Sequence, residues 1–367
     1  MKLLSLVSIL FFYPLQSTYA QTTPPQTPPE NTVDRLITIA AVGDIQMGMG
    51  WPDSKITLPP NDAKDLFKNV HAILSAADVA FGNLETVLAD SGDSQKCSPQ
   101  STRCYAFRVP TNYAASLKLA GFDVLSTANN HSGDFGMDGR VTTRNALDQV
   151  SILHSGPVGD VASWAVKGTT IALIGFSTGE DVHRVQDIET ASSLVRELAK
   201  NHDIVIGSFH GGAEGPSAVH VPKGPEKFLG EDRGDLRKFT HALIDAGAHL
   251  VLGHGPHVLR GMEIYKKRLI AYSMGNFSSW NTFNLKGPGG ITAILHITLS
   301  KQGELREAHL TPLTILEPGI PEQDPERKAI DIVRNLSQKD FGQSLFNKEG
   351  RYQGATVVDS KSPAKAK

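Results

Sequence analysis

AAVGDIQMG, residues 40 to 48, starts as an apolar β-strand and ends in a polar cluster that strand formation does not need. Four later segments share this design: VAFGNLET (79 to 86), LSTANNHSGDFGMDG (125 to 139), IGSFHGG (206 to 212) and LVLGHGPH (250 to 257). In open α/β sheets, ligands bind at the carboxyl ends of the strands. We therefore expect these five clusters to converge on one polar site.

Amphipathic segments separate the apolar runs, and this alternation predicts an α/β fold. The predicted helices cover 63 to 76, 113 to 120, 145 to 150, 191 to 199 and 235 to 246. After Gly261 the pattern changes to closely spaced strands, which predicts a more antiparallel layer. The folded domain is expected to span residues 36 to 320.

Both ends of the chain differ from this domain. Lys2, an apolar run from 3 to 13, Pro14 and small residues up to Ala20 are typical of a secretory signal peptide over residues 1 to 20. A membrane anchor is the alternative, but the run is well short of the roughly 20 residues that span a bilayer. We expect export to the periplasm or the medium after cleavage near Ala20, with no stable transmembrane anchor. Residues 21 to 35 are predicted to be a Pro/Thr-rich linker, and residues 321 to 367 a partly disordered extension.

The overall composition is that of an ordinary globular protein. Of 367 residues, 40% are hydrophobic and 20% are charged, and the formal net charge is −2. This balance gives no general attraction to nucleic acid, so any polyanion must be bound by a local cluster. The oligomeric state is not predicted.

The two cysteines, Cys97 and Cys104, lie in one polar loop. An exported protein meets an oxidising compartment, where such a pair forms a disulfide. We therefore predict a local disulfide that closes and fixes this loop.

The polar clusters contain carboxylates, amides and imidazoles, a mixture that favours Zn, Mn or Fe over Ca or Mg. Each residue alone has an ordinary structural explanation as a helix cap, a turn residue or a hydrogen-bonded histidine. Coincidence at all five strand ends is improbable, which favours a shared site with one or two divalent metal ions. The candidate metal ligands are Asp44, Asn83, Glu85, Asn130, His210, His254 and His257.

The motifs GDI-x-M-G, GNLE, ANNHS-x-D-x-G, H-G-G-x-E and GH-x-PHV, followed by YSMGNF (272 to 277), resemble the CapA, or poly-γ-glutamate-synthesis, family. The resemblance runs from about residue 38 to 280 in the family's order. It implies a relationship to calcineurin-like metallophosphoesterases. The fold so implied is a four-layer α/β/β/α sandwich of two mixed sheets flanked by helices, with metals at the strand ends.

The resemblance also implies roles for individual residues. His131 corresponds to the histidine that protonates a leaving group, and the ligand roles fall on Asp44, Asn83, Asn130, His210, His254 and His257. Gln46 stands where the phosphoesterases have a ligand histidine, and Asn83 stands where they have a bridging aspartate. Glu85 is a candidate to replace the lost charge, and the loss of a bridging carboxylate leaves two cations less well compensated.

Four more polar residues are candidates for substrate contact or for support of the ligands: Asn129, Asp134, Glu214 and Glu263. A surface salt bridge is the alternative for the two glutamates. A helix cap is the alternative for Asp134.

Three functional hypotheses remain open. The first is hydrolysis or transfer at a metal centre, with His131 as the proton donor. The second is a binding or export module that holds an anionic polymer or another cell-envelope substrate without catalysis. The third is a serine hydrolase, because GFSTG (175 to 179) matches a nucleophile elbow, although no helical segment follows Ser177 at once.

Overall fold

The computed structural model describes residues 36–52, 57–101 and 104–357, with side chains up to residue 354. The predicted signal peptide, its cleavage position and the Pro/Thr-rich linker lie outside the described residues. Within the described residues, no helix is long and apolar enough to cross a membrane.

The described strands, in chain order, are β1 (Ile37–Gln46), β2 (Val79–Leu84), β3 (Val87–Leu88), β4 (Arg108–Val109), β5 (Val124–Ser126), β6 (Leu153–Ser155), β7 (Val161–Val166), β8 (Thr169–Ser177), β9 (His183–Arg184), β10 (Ile204–His210), β11 (Glu226–Phe228), β12 (Glu231–Gly234), β13 (Leu250–His254), β14 (Met262–Tyr265), β15 (Arg268–Ala271), β16 (Asn276–Ser279), β17 (Ile291–Leu299), β18 (Leu305–Leu316), β19 (Ile320–Gln323), β20 (Gln343–Phe346) and β21 (Tyr352–Val357). The α-helices are α1 (His71–Leu74), α2 (Ala114–Leu119), α3 (Gly136–Gln149), α4 (Ile188–Asn201), α5 (Leu236–Ala246) and α6 (Lys328–Phe341).

Two mixed sheets form the centre of the molecule. The first has the order β19-β18-β17-β1-β2-β5-β6, with β16 also paired to β1, and the second has the order β14-β15-β13-β10-β8-β7, with β9 paired to β8. Strands β1, β2, β5 and β6 run parallel, as do β8, β10, β13 and β15. The α/β class with two mixed sheets is confirmed.

Alternation along the strands explains how the sheets face each other. In β1, Ile39 and Ala41 enter the core between the sheets, whereas Ala40 and Val42 face the outer layer of the first sheet. The same alternation occurs in β8, β10 and β13, whose outward residues pack against α4 and α5. The layers are therefore helix, sheet, sheet and helix.

Short capping signals start the two helices that cover the second sheet. The Asp187 carboxylate accepts a hydrogen bond from the Thr190 amide at the start of α4, and Asp235 accepts one from Lys238 at the start of α5. Gly247 ends α5 in a left-handed conformation with φ 115°.

The helix predicted over residues 63 to 76 is largely wrong. Most of it forms turns, and only His71–Leu74 is α-helical. Leu66, Phe67 and Leu74 are nevertheless buried against the first sheet. The apolar spacing correctly indicated which side chains are buried. It did not indicate that most of this backbone forms turns.

The strands after Gly261 do not form a layer of their own. Strands β14 and β15 extend the second sheet, whereas β16 to β19 join the first. The antiparallel character holds for β17, β18 and β19. Strand β15 pairs antiparallel with β14 but parallel with β13, and β16 pairs parallel with β1.

The folded domain extends past the expected boundary at residue 320. Ala329, Ile330 and Val333 on α6 belong to the core between the sheets, and β20 and β21 form an antiparallel pair beside this helix. The three side chains recur at helical spacing, so α6 covers apolar surface at the edge of the sandwich. Residues 358–367 lie outside the described part of the chain.

Candidate metal centre

Strand register brings the polar clusters together. Asp44 on β1 pairs with Asn83 on β2, and His210 on β10 pairs with His254 on β13. All four strands run parallel to their partners at these positions, so their carboxyl ends lie at one edge of each sheet. The two edges face each other, because Asp44 of the first sheet contacts three histidines that lie on or just after strands of the second: His210, His254 and His257.

A carboxylate and two imidazoles define the centre of the cluster. Ligand atoms of Glu85, His210 and His257 all lie within 4.8 Å of one another. The Glu85 Oε1 atom is 3.5 Å from His257 Nε2 and 3.9 Å from His210 Nε2. One carboxylate and two histidines within this distance form a donor set suited to Zn, Mn or Fe.

Several donor atoms in the cluster are buried without hydrogen bonds from the described residues. They are both Glu85 carboxylate oxygens, His210 Nε2, His254 Nε2 and Asn130 Oδ1. Buried polar atoms normally have partners, and isolated exceptions need an explanation. Since the atoms of Glu85 and His210 lie within 4.8 Å of each other and of His257, these three residues fit a bound cation.

Without a bound cation, the buried Glu85 carboxyl is difficult to ionise. Burial raises the pKa of the carboxyl to about 8, and the carboxylates of Asp44 and Glu214 add to the effect while His257 opposes it. Burial works against charge on His257, but Glu85, Asp44 and Glu214 outweigh it and raise the pKa of the imidazole to about 10. The carboxylates therefore attract a positive charge to this position.

Asp44 organises the other side of the cluster. Its Oδ1 accepts a 2.8 Å hydrogen bond from Asn83 Nδ2 and lies 3.4 Å from His254 Nδ1. Its Oδ2 lies 3.1 Å from His257 Nδ1. Burial disfavours ionisation of Asp44, but the neighbouring imidazoles of His254 and His257 outweigh it and hold the pKa of the carboxyl well below its usual value.

The backbone after β13 allows His257 to reach this position. Gly255 has φ 110°, and a Cβ atom there would lie 2.8 Å from the Gly211 carbonyl oxygen. His257 has φ 58°, a left-handed conformation that is uncommon for histidine. Asn276 stabilises it, since its Oδ1 lies 3.0 Å from His257 Nδ1 and its Nδ2 donates to the His257 carbonyl. Asn276 was not singled out from the sequence, although it lies within the quoted YSMGNF motif.

The two departures from the phosphoesterase pattern have clear local consequences. The Gln46 amide donates to the Gly48 carbonyl and accepts from the Gly48 amide and the Thr282 hydroxyl. Asn83 donates to Asp44 and lies 3.3 Å from His210 Nδ1, so its amide nitrogen is directed at the ligands. Both side chains are neutral, so neither supplies the charge that a bridging aspartate would bring to a second cation.

His131 and Asp134 form a buried pair beside Glu85. His131 Nδ1 lies 2.8 Å from Asp134 Oδ2, which also accepts a hydrogen bond from the Phe107 amide. With the Nδ1 proton bonded to the carboxylate, Nε2 is directed to the cluster and lies 3.9 Å from Glu85 Oε1. Burial lowers the pKa of His131, against the effect of Asp134. Asp134 thus orients His131.

Lys96 is a site residue that the sequence reasoning missed. Its Nζ lies 3.2 Å from Asp134 Oδ1 and 3.3 Å from His131 Nδ1, and it donates to the Asn130 carbonyl. Cys97 follows it directly and forms a disulfide with Cys104, with Cα atoms 5.7 Å apart. Proximity to the predicted disulfide was the available signal, because a cross-linked loop holds its residues in place.

Asn129 holds the loop in which His131 lies. Its amide donates to the Leu84 carbonyl at 2.8 Å and to Asn83 Oδ1 at 3.3 Å, and its oxygen accepts from the His131 amide. The side chain thus connects the loop to the end of β2. Asn129 therefore positions Asn83 and His131 through hydrogen bonds.

The two glutamates proposed from the sequence lie in different places. Glu214 Oε2 is 3.9 Å from His257 Nε2, and its other oxygen forms a 2.8 Å ion pair with Arg233. Glu263 instead accepts a 2.8 Å hydrogen bond from the Tyr272 hydroxyl and lies 3.0 Å from His241 on α5. The structure brings Glu214 to the cluster and directs Glu263 to the outer helix layer.

A buried ion pair fixes the backbone next to Glu214. Arg260, fully buried, contacts both Glu226 carboxylate oxygens at 2.9 and 2.7 Å. Glu226 also accepts from the Ala213 amide, and Arg260 donates to the Ala213 carbonyl. The Arg260–Glu226 pair therefore holds both the backbone N–H and the backbone carbonyl of Ala213, which directly precedes Glu214.

The serine-hydrolase reading is wrong. Ser177 ends β8, is fully buried, and is followed by a turn and β9. Helix α4 begins only at Ile188. A nucleophile elbow requires an exposed serine at a turn that leads directly into a helix.

Comparisons with known proteins agree with the geometry. A family model described as "Bacterial capsule synthesis protein PGA_cap" matches residues 38–280. The "PGA biosynthesis protein CapA" of Bacillus subtilis is 28% identical over 85% of this chain and 81% of its own length. The "Capsule biosynthesis protein CapA" of Bacillus anthracis is 26% identical over 72% of this chain, which spans 64% of that relative.

Among solved structures, a putative 5′-nucleotidase from Staphylococcus aureus has a TM-score of 0.42 at 13% identity, and the match covers 83% of this chain and 58% of that one. The family match spans all five polar strand ends and the whole candidate centre. The chain is therefore a member of the bacterial capsule synthesis protein family PGA_cap.

Proposed function

We propose that this chain is an exported metal-dependent hydrolase or transferase that acts in the synthesis of a capsule or poly-γ-glutamate polymer. The observation that carries the proposal is the cluster of Glu85, His210 and His257, whose ligand atoms lie within 4.8 Å of one another. Donor atoms in this cluster are buried without hydrogen bonds from the described residues. The role in capsule or polymer synthesis is suggested by the names of the Bacillus relatives.

Glu85, His210 and His257 would hold a divalent cation, which supplies Lewis acidity toward a phosphoryl or acyl group. Asp44 orients His257 through Nδ1, so that Nε2 is directed toward Glu85. Asn83, which donates to Asp44, and Gln46 are neutral and add no charge that would offset a second cation. The geometry therefore supports one firmly held ion.

His131 is the proposed proton donor to the leaving group. It is directed by Asp134 and lines an open cavity of about 400 Å³ beside His257. Lys96 compensates the charge of Asp134 and reaches the same cavity. A substrate anion on the cluster side of His131 would be attracted to the metal, while Lys96 offsets the repulsion that Asp134 would otherwise exert on it.

Metal analysis of the purified exported protein tests this proposal. We expect about one Zn, Mn or Fe ion per chain, with an anomalous-scattering peak between Glu85, His210 and His257. Glu85→Gln should lose most of the metal, because the amide removes the charge that attracts the ion. Glu263→Gln is the matched control, since Glu263 is also buried but lies against Tyr272 and His241. Equal metal content in both variants would refute the assigned centre.

A second function is favoured by one observation. Asn83 and Gln46 are neutral and hydrogen-bonded to neighbours, so neither supplies the negative charge of a bridging aspartate between two ions. A centre with one ion could bind an anionic polymer without cleaving it. In that case, calorimetry would show metal-dependent binding of poly-γ-glutamate, with unchanged polymer length and linkage after incubation. Metal-dependent shortening or transfer would instead support the enzyme.

A further inference from the structure

Apolar side chains from three loops surround the cavity above His131 and His257. We call the wall formed by these residues the apolar cleft, and it consists of Tyr105, Phe107, Phe228, Leu229 and Phe283. The first two follow the disulfide loop, the next two belong to the hairpin of β11 and β12, and the last follows β16.

The apolar cleft contacts the candidate catalytic groups directly. The Phe107 ring lies 4.3 Å from the His131 ring, and the Phe283 ring lies 4.6 Å from the His257 ring, measured between centroids. Phe107 and Phe283 pack edge to face at 5.7 Å. Tyr105 extends this row outward, 6.4 Å from Phe107. A row of packed aromatic rings therefore runs from the exposed Tyr105 to the buried Phe107 beside His131.

The outer part of the apolar cleft is exposed to water. Leu229 is 88% exposed and Tyr105 is 54% exposed, although both are large apolar residues. Leu229 lies at the tip of its hairpin with φ 50°, followed by Gly230 with φ 88°. Exposed apolar surface beside a polar centre is typical of a ligand-binding site.

The charged groups in the cavity largely compensate one another. Arg233 pairs with Glu214 at 2.8 Å and lies 3.6 Å from Glu231, while Lys96 pairs with Asp134 at 3.2 Å. These pairs lower the net field that a polyanionic chain would meet along the wall. Contact with a ligand outside the metal cluster is therefore mainly apolar.

We propose that the substrate carries an aromatic or branched apolar group next to its anionic reacting group, and that the apolar cleft binds it. The inference rests on the proposed function, because it places the reacting anion at Glu85, His210 and His257. The apolar group then lies on the side of His131, where the leaving group departs. The substrate class is an amphipathic phosphoester, whose phosphoryl group carries the negative charge.

Equilibrium binding of two simple phosphonates tests the proposal without requiring turnover. The metal-loaded, full exported chain is titrated calorimetrically with methylphosphonate and with phenylphosphonate. Both present the same anion to the metal, so their affinity ratio reports the contact made by the ring. We expect phenylphosphonate to bind at least about tenfold more tightly, as burial of a ring against apolar surface predicts.

Variants locate the contact. In the double variant Tyr105→Ser and Leu229→Ser, the ratio of the two affinities should fall about tenfold. Leu119→Ser is the matched control, because Leu119 is 56% exposed but lies on α2 and does not line the cavity. The control should keep the wild-type ratio.

The outcomes separate the two proposals. Equal affinities in the wild-type protein, or a ratio that persists in the double variant, would overturn the apolar cleft and leave the metal centre intact. Failure of both phosphonates to bind the metal-loaded protein would overturn the centre and, with it, the substrate class.

Discussion

Removal of the charge on Glu226 should destabilise the protein strongly, although Glu226 does not contact the metal cluster. Arg260 is fully buried, and both of its contacts with Glu226 are shorter than 3 Å. The variant Glu226→Gln keeps the side-chain shape but leaves the Arg260 charge without compensation. Breaking a buried ion pair by removing one partner typically costs about 3 to 5 kcal/mol of unfolding free energy.

This free energy can be converted into a melting temperature. The described domain spans roughly 320 residues, from 36 to 357. At about 2.1 cal/mol/K per residue, the unfolding entropy is about 0.7 kcal/mol/K, so the melting temperature should fall by about 4 to 7 °C. Calorimetry and urea unfolding, both on metal-free protein, measure the change.

The exposed pair of Lys200 and Glu197 provides the control. Its atoms are 2.7 Å apart, but both side chains are more than 60% exposed. Glu197→Gln should therefore change the unfolding free energy by no more than about 0.5 kcal/mol. The combination Glu226→Leu with Arg260→Met should recover part of the loss, because no buried charge is then left alone.

The reasoning is refuted if Glu226→Gln is as stable as Glu197→Gln. A second consequence concerns the site, because Glu226 and Arg260 hold both backbone groups of Ala213. Loss of the pair should release Glu214 from its position 3.9 Å from His257. A crystal structure of Glu226→Gln with Glu214 unmoved would contradict that positioning role.

Three further predictions concern separate features. Lys96→Gln should weaken methylphosphonate binding roughly tenfold by calorimetry, whereas Lys96→Arg should retain most of it, because a cation 3.2 Å from Asp134 is kept; equal losses would contradict the electrostatic role. Replacing Cys97 and Cys104 by serine should lower the unfolding free energy by about 2 kcal/mol, measured in urea, because a short loop is no longer closed. Burial and the neighbouring His309 lower the pKa of His296 to about 4 in the folded protein, so the unfolded chain binds an extra proton below about pH 6.5. Stability should therefore fall from pH 6.5 to 4, with up to about 3 kcal/mol from this residue, and His296→Gln should flatten that slope in pH-dependent unfolding.

The sequence identified the strand ends more reliably than the connections between them. Apolar runs ending in GDIQ, GNLE, NNH, HGG and GHGPH were assigned to strands or their exits, and the structure places all five at one site. Short parallel strands are recognised by their apolar runs, and their carboxyl ends must meet wherever the strands pair in parallel. The irregular backbone of residues 63 to 70 follows turns that such patterns do not specify.

Side-chain direction decided which candidates belong to the centre. Glu263 and Glu214 are similar in the sequence, yet only Glu214 reaches His257, because Glu263 is directed toward α5. Lys96 contacts Asp134 from a polar loop without a motif of its own. Asn83 matches a ligand position and lies in the cluster, where its amide nitrogen donates to Asp44.

By itself, the sequence determined the α/β class, the five polar strand ends and the donor types, since these depend on local residue patterns and on the rule that parallel strands end together. The tertiary structure alone decided which donors face one another, how the sheets bring Asp44 to His257, and that apolar loops surround the centre. Those facts depend on contacts between residues far apart in the chain, and on the direction of each side chain, which no local pattern contains.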